Sequence, residues 1–176
     1  RIINSYSTVS LSTTNPGTNA LCGGLVGSAQ NIFSGEAGPS LSFISNSYAN
    51  SVINCSNSAG SYSGGLIGRA TQTGLTIENS FSTSQVTSGA GTTTGGFVGG
   101  NSLYTSFNNS FYDSTLSGQN ICSSPNTNAC VAISDSNYFK NNSLNEPFTT
   151  WDFNDVWETN SSYPIHKAQI TYEQLP

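Results

Sequence analysis

Three five-residue brackets constrain the fold of this chain most: Gly23-Gly24-Leu25-Val26-Gly27, Gly64-Gly65-Leu66-Ile67-Gly68 and Gly95-Gly96-Phe97-Val98-Gly99. Each is a pair of apolar residues between glycines, set in a sequence dominated by Ser, Thr and Asn. A second phrase recurs in phase with the first. It reads Ile3-Asn4-Ser5-Tyr6, Ser45-Asn46-Ser47-Tyr48, Ile77-Glu78-Asn79-Ser80-Phe81 and Asn108-Asn109-Ser110-Phe111. The brackets lie 41 and then 31 residues apart, and the last three phrases 33 and 30 apart. A unit of about thirty residues with an insertion in its first copy fits both series. Such a unit cannot bury its apolar face alone, whereas stacked copies share one continuous core.

The segments between glycines are too short and too polar for helices, and the corner residues Gly, Asn and Ser tolerate the backbone angles of tight turns. The expectation is an all-β fold, a parallel β-solenoid (β-helix) of about thirty-residue coils. Leu25, Leu66 and Phe97 are expected in one inward column, Tyr6, Tyr48, Phe81 and Phe111 in a second, and Val9, Val52 and Val86 in a third. Gly24, Gly27, Gly65, Gly68, Gly96 and Gly99 have two readings, special backbone angles or close approach of neighbouring coils. Asn46, Asn79 and Asn109 are expected to stack on one another and to cap turns through their own backbone.

Composition removes several function classes. Only 7% of the 176 residues are charged, and Lys and Arg together number 4, too few for a nucleic-acid groove. No apolar run approaches a membrane span, and an amphipathic membrane helix would need a basic face, so membrane insertion is not expected. Disorder is rejected because the aromatic residues fall at fixed repeat positions or in the tail. The chain begins at Arg1 with the first phrase already under way, which reads as a fragment with an upstream part in a larger protein.

Cys22, Cys55, Cys122 and Cys130 allow three pairings, with buried thiols or metal as other readings. Cys122 and Cys130 bracket a polar segment that a disulfide would staple. Cys22 and Cys55 would meet if the approaches to the first two brackets stack. Disulfides imply an oxidising, extracellular setting. The repeat ends after Tyr112, and the tail concentrates Trp151, Phe153 and Trp157, expected as an aromatic cap over one end of the stack. A tryptophan pair beside carboxylates is also a candidate sugar-stacking subsite. The organisation expected is repeats over 1–118, then a cysteine-containing loop and C-terminal cap over 119–176, packed on the same domain.

Bracket and phrase together resemble the bacterial GLUG repeat, named for its Gly-Leu-any-Gly core. That core stands here as Gly24-Leu25-Val26-Gly27, Gly65-Leu66-Ile67-Gly68 and, with Phe for Leu, Gly96-Phe97-Val98-Gly99. The tail from Trp151 to Trp157, with Tyr163-Pro164 after it, is similar to the segment that ends such arrays. The resemblance implies a secreted or cell-surface bacterial protein, an adhesin of the filamentous-haemagglutinin kind built on a β-solenoid, with no catalytic residues.

No nucleophile signature accompanies His166, the single histidine, and the carboxylates Asp152, Asp155 and Glu158 sit in the expected cap, so no enzyme is expected. No cofactor is expected. Asp113, Asp135 and Asp152 have the ligand chemistry for structural calcium but no calcium-loop motif. The expected role is a noncatalytic adhesin fragment, a fibre tip that binds a cell-surface glycan or protein. Phe33, Tyr62 and Tyr104 are candidate ligand contacts. The alternative is a rigid spacer of a larger surface protein. A further reading is a flat hydroxyl face for ice or crystalline polysaccharide, drawn from Thr71-Gln72-Thr73, Ser82-Thr83-Ser84 and Thr92-Thr93-Thr94. Homo-oligomerisation is compatible with all three.

Overall fold

The computed structural model describes residues 1–13, 19–29, 43–55, 60–71, 74–101, 105–125, 130–135, 137–140, 148–159 and 163–167. The chain divides into two compact units, Arg1–Ser136 and Asn137–Pro176. The first is all-β apart from a single helical turn among its described residues.

Each repeat supplies five short strands. The first gives β1 (Ile2–Ile3), β2 (Tyr6–Ser7), β3 (Ser10–Thr13), β4 (Leu21–Gly23) and β5 (Val26–Ala29). The second gives β6 (Phe43–Ser45), β7 (Tyr48–Ala49), β8 (Val52–Cys55), β9 (Tyr62–Gly64) and β10 (Ile67–Ala70). The third gives β11 (Thr76–Glu78), β12 (Phe81–Ser82), β13 (Gln85–Ser88), β14 (Thr93–Gly95) and β15 (Val98–Asn101). A partial fourth copy adds β16 (Ser106–Asn108), β17 (Phe111–Asp113), helix α1 (Ser114–Ser117), β18 (Ser123–Ser124) and β19 (Val131–Ile133). Strands in equivalent places pair in parallel, giving five sheets: β1-β6-β11-β16, β2-β7-β12-β17-β19, β3-β8-β13, β4-β9-β14 and β5-β10-β15-β18.

The corners explain the recurring phrase. Asn4, Asn46, Asn79 and Asn109 all have φ between 45° and 50°, the left-handed conformation that Asn tolerates best among residues with a side chain. The Asn109 amide also donates to the Asn79 amide oxygen at 3.4 Å. The following serine links the repeats. Ser47 Oγ accepts from the Ser5 N–H at 3.2 Å and donates to the Ser45 carbonyl at 2.7 Å. Ser80 Oγ does the same with the Ser47 N–H and the Glu78 carbonyl. A buried backbone donor left bare by the turn thus finds its partner in the next repeat.

The bracket glycines are required for close approach. None of them has a positive φ; among the described residues the positive-φ glycines are Gly60, Gly74, Gly91 and Gly118. A Cβ on Gly24 would stand 2.3 Å from the Gly65 carbonyl oxygen, and one on Gly65 would stand 2.3 Å from that of Gly96. Gly27, Gly68 and Gly99 similarly face backbone atoms within 3.0 Å, and Gly96 faces the Tyr112 ring. Leu25, Leu66 and Phe97 are joined through backbone hydrogen bonds, Leu25 N–H to the Leu66 carbonyl and Leu66 N–H to that of Phe97. Leu66 and Phe97 are fully buried in the main core with Ile44, Ile67, Leu75 and Ile77.

One expected column is corrected. Val52 pairs in register with Ser10 and Gln85 and is 48% exposed, and Val9 is 47% exposed. The inward column is Leu11–Ile53–Val86: Val86 is buried as expected, while Ile53 and the half-buried Leu11 take the places given to Val52 and Val9. Adjacent residues of a strand face opposite sides, so Val52 lies on the outer face beside the inward Ile53. The aromatic column forms in register, with Tyr48, Phe81 and Phe111 buried as expected and Tyr6 59% exposed. Ala49 and Tyr112 lie in the main core, so alternation turns Tyr48 and Phe111 to the other side of their strands. There Tyr6 stacks on Tyr48 at 5.2 Å and Tyr48 on Phe81 at 5.0 Å, the rings within 9° of parallel. Ser82, Thr83 and Ser84, expected on an outer hydroxyl face, are buried. Gln72 and Thr73 lie outside the described residues.

Burial pushes the Tyr48 phenol up to about 12, and the neighbouring Tyr6 phenol adds to the shift. The folded chain keeps this proton at a pH where the unfolded chain has released it. Stability is therefore intact below about pH 10 and falls as pH rises from about 10 to 12. Denaturant unfolding across that window should show the fall, and Tyr48→Phe should flatten it. An equally steep fall in Tyr48→Phe would assign the effect to other groups.

The cysteines form Cys22–Cys55 and Cys122–Cys130 disulfides, joining positions 33 and 8 residues apart. The first sits in a small cluster with Ile53, Leu11 and Ala20. The loop closed by the second contains β18 and is followed by β19, which extend two of the repeat sheets.

In the second unit, Phe139, Phe148, Trp151 and Trp157 are buried, with ring contacts of 5.8 Å for Phe139–Phe148, 4.6 Å for Phe148–Trp151 and 4.8 Å for Trp151–Trp157. Phe153 is half-buried. Strand β20 (Trp157–Glu158) pairs antiparallel with β21 (Ile165–His166), and the His166 ring lies 4.6 Å from that of Trp157. The sugar-stacking reading of the tryptophans fails, because Trp151 and Trp157 spend their faces on this cluster.

Candidate binding groove

Of the three ligand contacts expected from sequence, Phe33 and Tyr104 lie outside the described residues. Tyr62 lines a cleft of about 240 Å3 on the first unit together with Arg69, Thr71, Thr93, Asn101 and Ser124. That volume is below the range of pockets for drug-sized ligands, so the cleft suits one chemical group or sugar ring of a larger molecule.

The bracket builds this site. Chain direction changes at Gly65–Leu66, between β9 and β10, so Tyr62 on one arm and Arg69 on the other come to the same side. The Arg69 guanidinium carbon lies 4.6 Å from the Tyr62 ring centre, a stacked cation–π contact. Tyr62 has room because the repeat after it is small here. A Cβ on Gly100 would stand 2.5 Å from the Tyr62 ring.

Neither residue belongs to the repeat pattern. Parallel register aligns Arg69 with Ser28 and Gly100, and Tyr62 with Leu21 and Thr93. The stack therefore carries one aromatic–cation pair where its neighbours carry small or aliphatic side chains. Arg69 is also the only Lys or Arg between positions 2 and 139. Its Nε is buried with no hydrogen-bond partner, and among the described residues it makes no ion pair. On the far side, Ser123 Oγ donates to Asn101 Oδ1 at 3.1 Å, which holds the amide in place.

Sequence reasoning selected Tyr62 but missed Arg69. The signal was present as a lone cation where the other copies have Ser and Gly. Counting charges to exclude nucleic acid drew attention to their scarcity and away from the position of this one.

The carboxylates considered for chemistry have local duties. Asp113 caps α1, its Oδ1 accepting from the Leu116 N–H at 2.8 Å. Asp152 Oδ1 accepts from the Asn154 and Asp155 N–H groups. Among the described residues no group of three or more His, Cys, Asp and Glu side chains is placed to hold a metal. A broader depression beside α1, lined by Ser114, Thr115, Gln119 and Asn120, carries no charge. Its Gln119 amide is already engaged with Thr94 and the Val86 carbonyl.

No protein-family model, curated protein or solved structure matches this chain. The two disulfides indicate an oxidising, extracellular environment, and no described helix is long and apolar enough to cross a membrane.

Proposed function

We propose that the repeats are coils of a GLUG-like parallel β-solenoid and that the chain is a noncatalytic adhesin module of a secreted or surface protein, bacterial in origin, that binds a cell-surface glycan. The observation that carries this reading is the Tyr62–Arg69 pair, a local departure from a repeat whose other positions are explained by packing. In-register pairing of five sheets supports the solenoid, because every described strand of the second and third repeats pairs with its counterpart in a neighbouring repeat. Side chains held on such a ladder keep fixed spacing, as a preorganised recognition surface requires. Asp152, whose Oδ1 accepts from two backbone N–H groups, supports a noncatalytic role.

The test is a glycan array with the 176-residue chain beside Tyr62→Ala. Reproducible binding to one sugar class, weakened at least about tenfold in the variant, is the expected result. The same regular stacking favours a second reading, a stiff spacer. A blank array with folded, monodisperse protein would select it, and pull-down from whole cells would then test a protein ligand or self-association.

A further inference from the structure

The chemistry of the cleft narrows the ligand class, an inference that rests on the glycan-binding reading. We infer that the cleft takes the carboxylate of an acidic sugar, a sialic or uronic acid residue within a surface glycan, with Arg69 as its charge partner.

Stacking occupies the flat face of the guanidinium with Tyr62 and leaves its edge to the cleft. That edge is a planar fork of N–H donors, and its geometric match is a carboxylate accepting two parallel hydrogen bonds. Nε is buried, so the fork offered to a ligand is the pair of terminal nitrogens. A carboxylate bridging the two terminal nitrogens gains two charge-assisted hydrogen bonds there. Tyr62 is the positioning residue: it fixes the plane in which the fork lies.

The rest of the cleft fits a sugar ring attached to that carboxylate. Thr71, Thr93 and Ser124 bring hydroxyls and Asn101 an amide, neutral groups that exchange hydrogen bonds with sugar hydroxyls. Gly100 and Pro125 add surface without charge.

Charge selects a single carboxylate over a polyanion. The chain carries a net charge of −5, and Arg69 is isolated from the three other cations along the sequence. A heavily sulfated chain or a nucleic acid would meet one cation on a chain of net negative charge, which disfavours its approach. One negative charge on an otherwise neutral sugar gains the Arg69 contact and little repulsion.

The experiment uses the 176-residue chain, titrated with sialyllactose and with a glucuronate-containing disaccharide, each beside its methyl ester, and with sulfated lactose. The ester keeps the shape and removes the charge. The expected result is binding of one or both carboxylates, weakened at least about tenfold by esterification and by Arg69→Gln. Arg69→Lys should fall between, because it keeps the charge and loses the planar fork. Gly100→Ala, which displaces the Tyr62 ring, should weaken the same ligands without touching the guanidinium. If Arg69→Gln does not fold, the ester comparison on the unaltered chain decides alone. Binding that ignores esterification, or that favours the sulfated sugar, overturns the acidic-sugar inference. Failure of these ligands while neutral glycans bind on the array overturns it and leaves the adhesive reading standing. Failure of every glycan, charged or neutral, removes both.

Discussion

Gly65→Ala should destabilise the first unit by about 3 kcal/mol or more, at the upper end of what overpacking a well-filled interior costs. The new methyl carbon would lie 2.3 Å from the Gly96 carbonyl oxygen and 2.2 Å from Ser82 Oγ. The hydroxyl can rotate away, but the carbonyl belongs to the backbone of the next repeat. Moving it strains the adjoining ladder, where the Leu66 N–H donates to the Phe97 carbonyl at 2.8 Å. The comparison is Gly74→Ala, with nothing within 4 Å of the new carbon but a φ of 77°. That change carries only the left-handed backbone penalty, about 1–2 kcal/mol. Denaturant midpoints should separate the two variants, and for a chain of this size each kcal/mol corresponds to about 2–4 °C in Tm. Equal shifts would show that the neighbouring repeats relax apart at little cost, and that the brackets are not the contact on which stacking depends.

The same geometry shows why some of the fold was legible and some was not. Corners announce themselves, because a left-handed Asn and a glycine with no room for a side chain leave a residue type in the sequence. Asn46, Asn79 and Asn109 and the three brackets are of this kind. Faces do not announce themselves when strands are only two to four residues long. Tyr48–Ala49 and Phe81–Ser82 contain one residue for each side, and no periodicity can be counted over two positions. Val52 and Ile53 are both β-branched and adjacent, so composition cannot say which of them is buried. Only register with Leu11 and Val86 decides. The links made by Ser47 and Ser80 were illegible for another reason. The place of these serines in the recurring phrase is visible, but their hydroxyls bond to groups 42 and 33 residues earlier in the chain, and nothing local shows those partners.

The groove follows the same rule in reverse. In a chain built by repetition, a functional residue is most visible where it breaks the repeat. Aligning the copies before asking what each residue type does brings Arg69 out against Ser28 and Gly100. Tyr62 was found by its aromatic character alone, a criterion that also selected Phe33 and Tyr104. The tail tryptophans show the weakness of that criterion, since aromatic residues bury themselves readily and Trp157 is fully covered.

Removal of the Cys22–Cys55 bridge is the second large effect expected. The bond closes 33 residues of chain, and a loop of that length restricts the unfolded ensemble by about 3–4 kcal/mol in the chain-entropy account. The Cys122–Cys130 bridge closes 8, worth about 2.5 kcal/mol on the same basis. Position matters as well as length. Cys22 lies on β4 and Cys55 on β8, so the bond joins two different sheets. One repeat further on Ser63 and Ser88 occupy the same registers, so the covalent tie joins only the first repeat, whose strands β3 and β4 stand at the edges of their sheets, to the second. Alanine is the informative replacement, because the sulfurs are buried among Leu11, Ala20 and Ile53, and serine would add hydroxyls there. Cys22→Ala/Cys55→Ala should lower the unfolding free energy by more than Cys122→Ala/Cys130→Ala does, read from denaturant midpoints at unchanged m-value. Addition of a thiol reductant to the unaltered chain should reproduce the sum of the two losses. If the short loop proves the more costly to open, native packing around Cys122, which lies in the main core, outweighs chain entropy, and the first two repeats hold together without their staple.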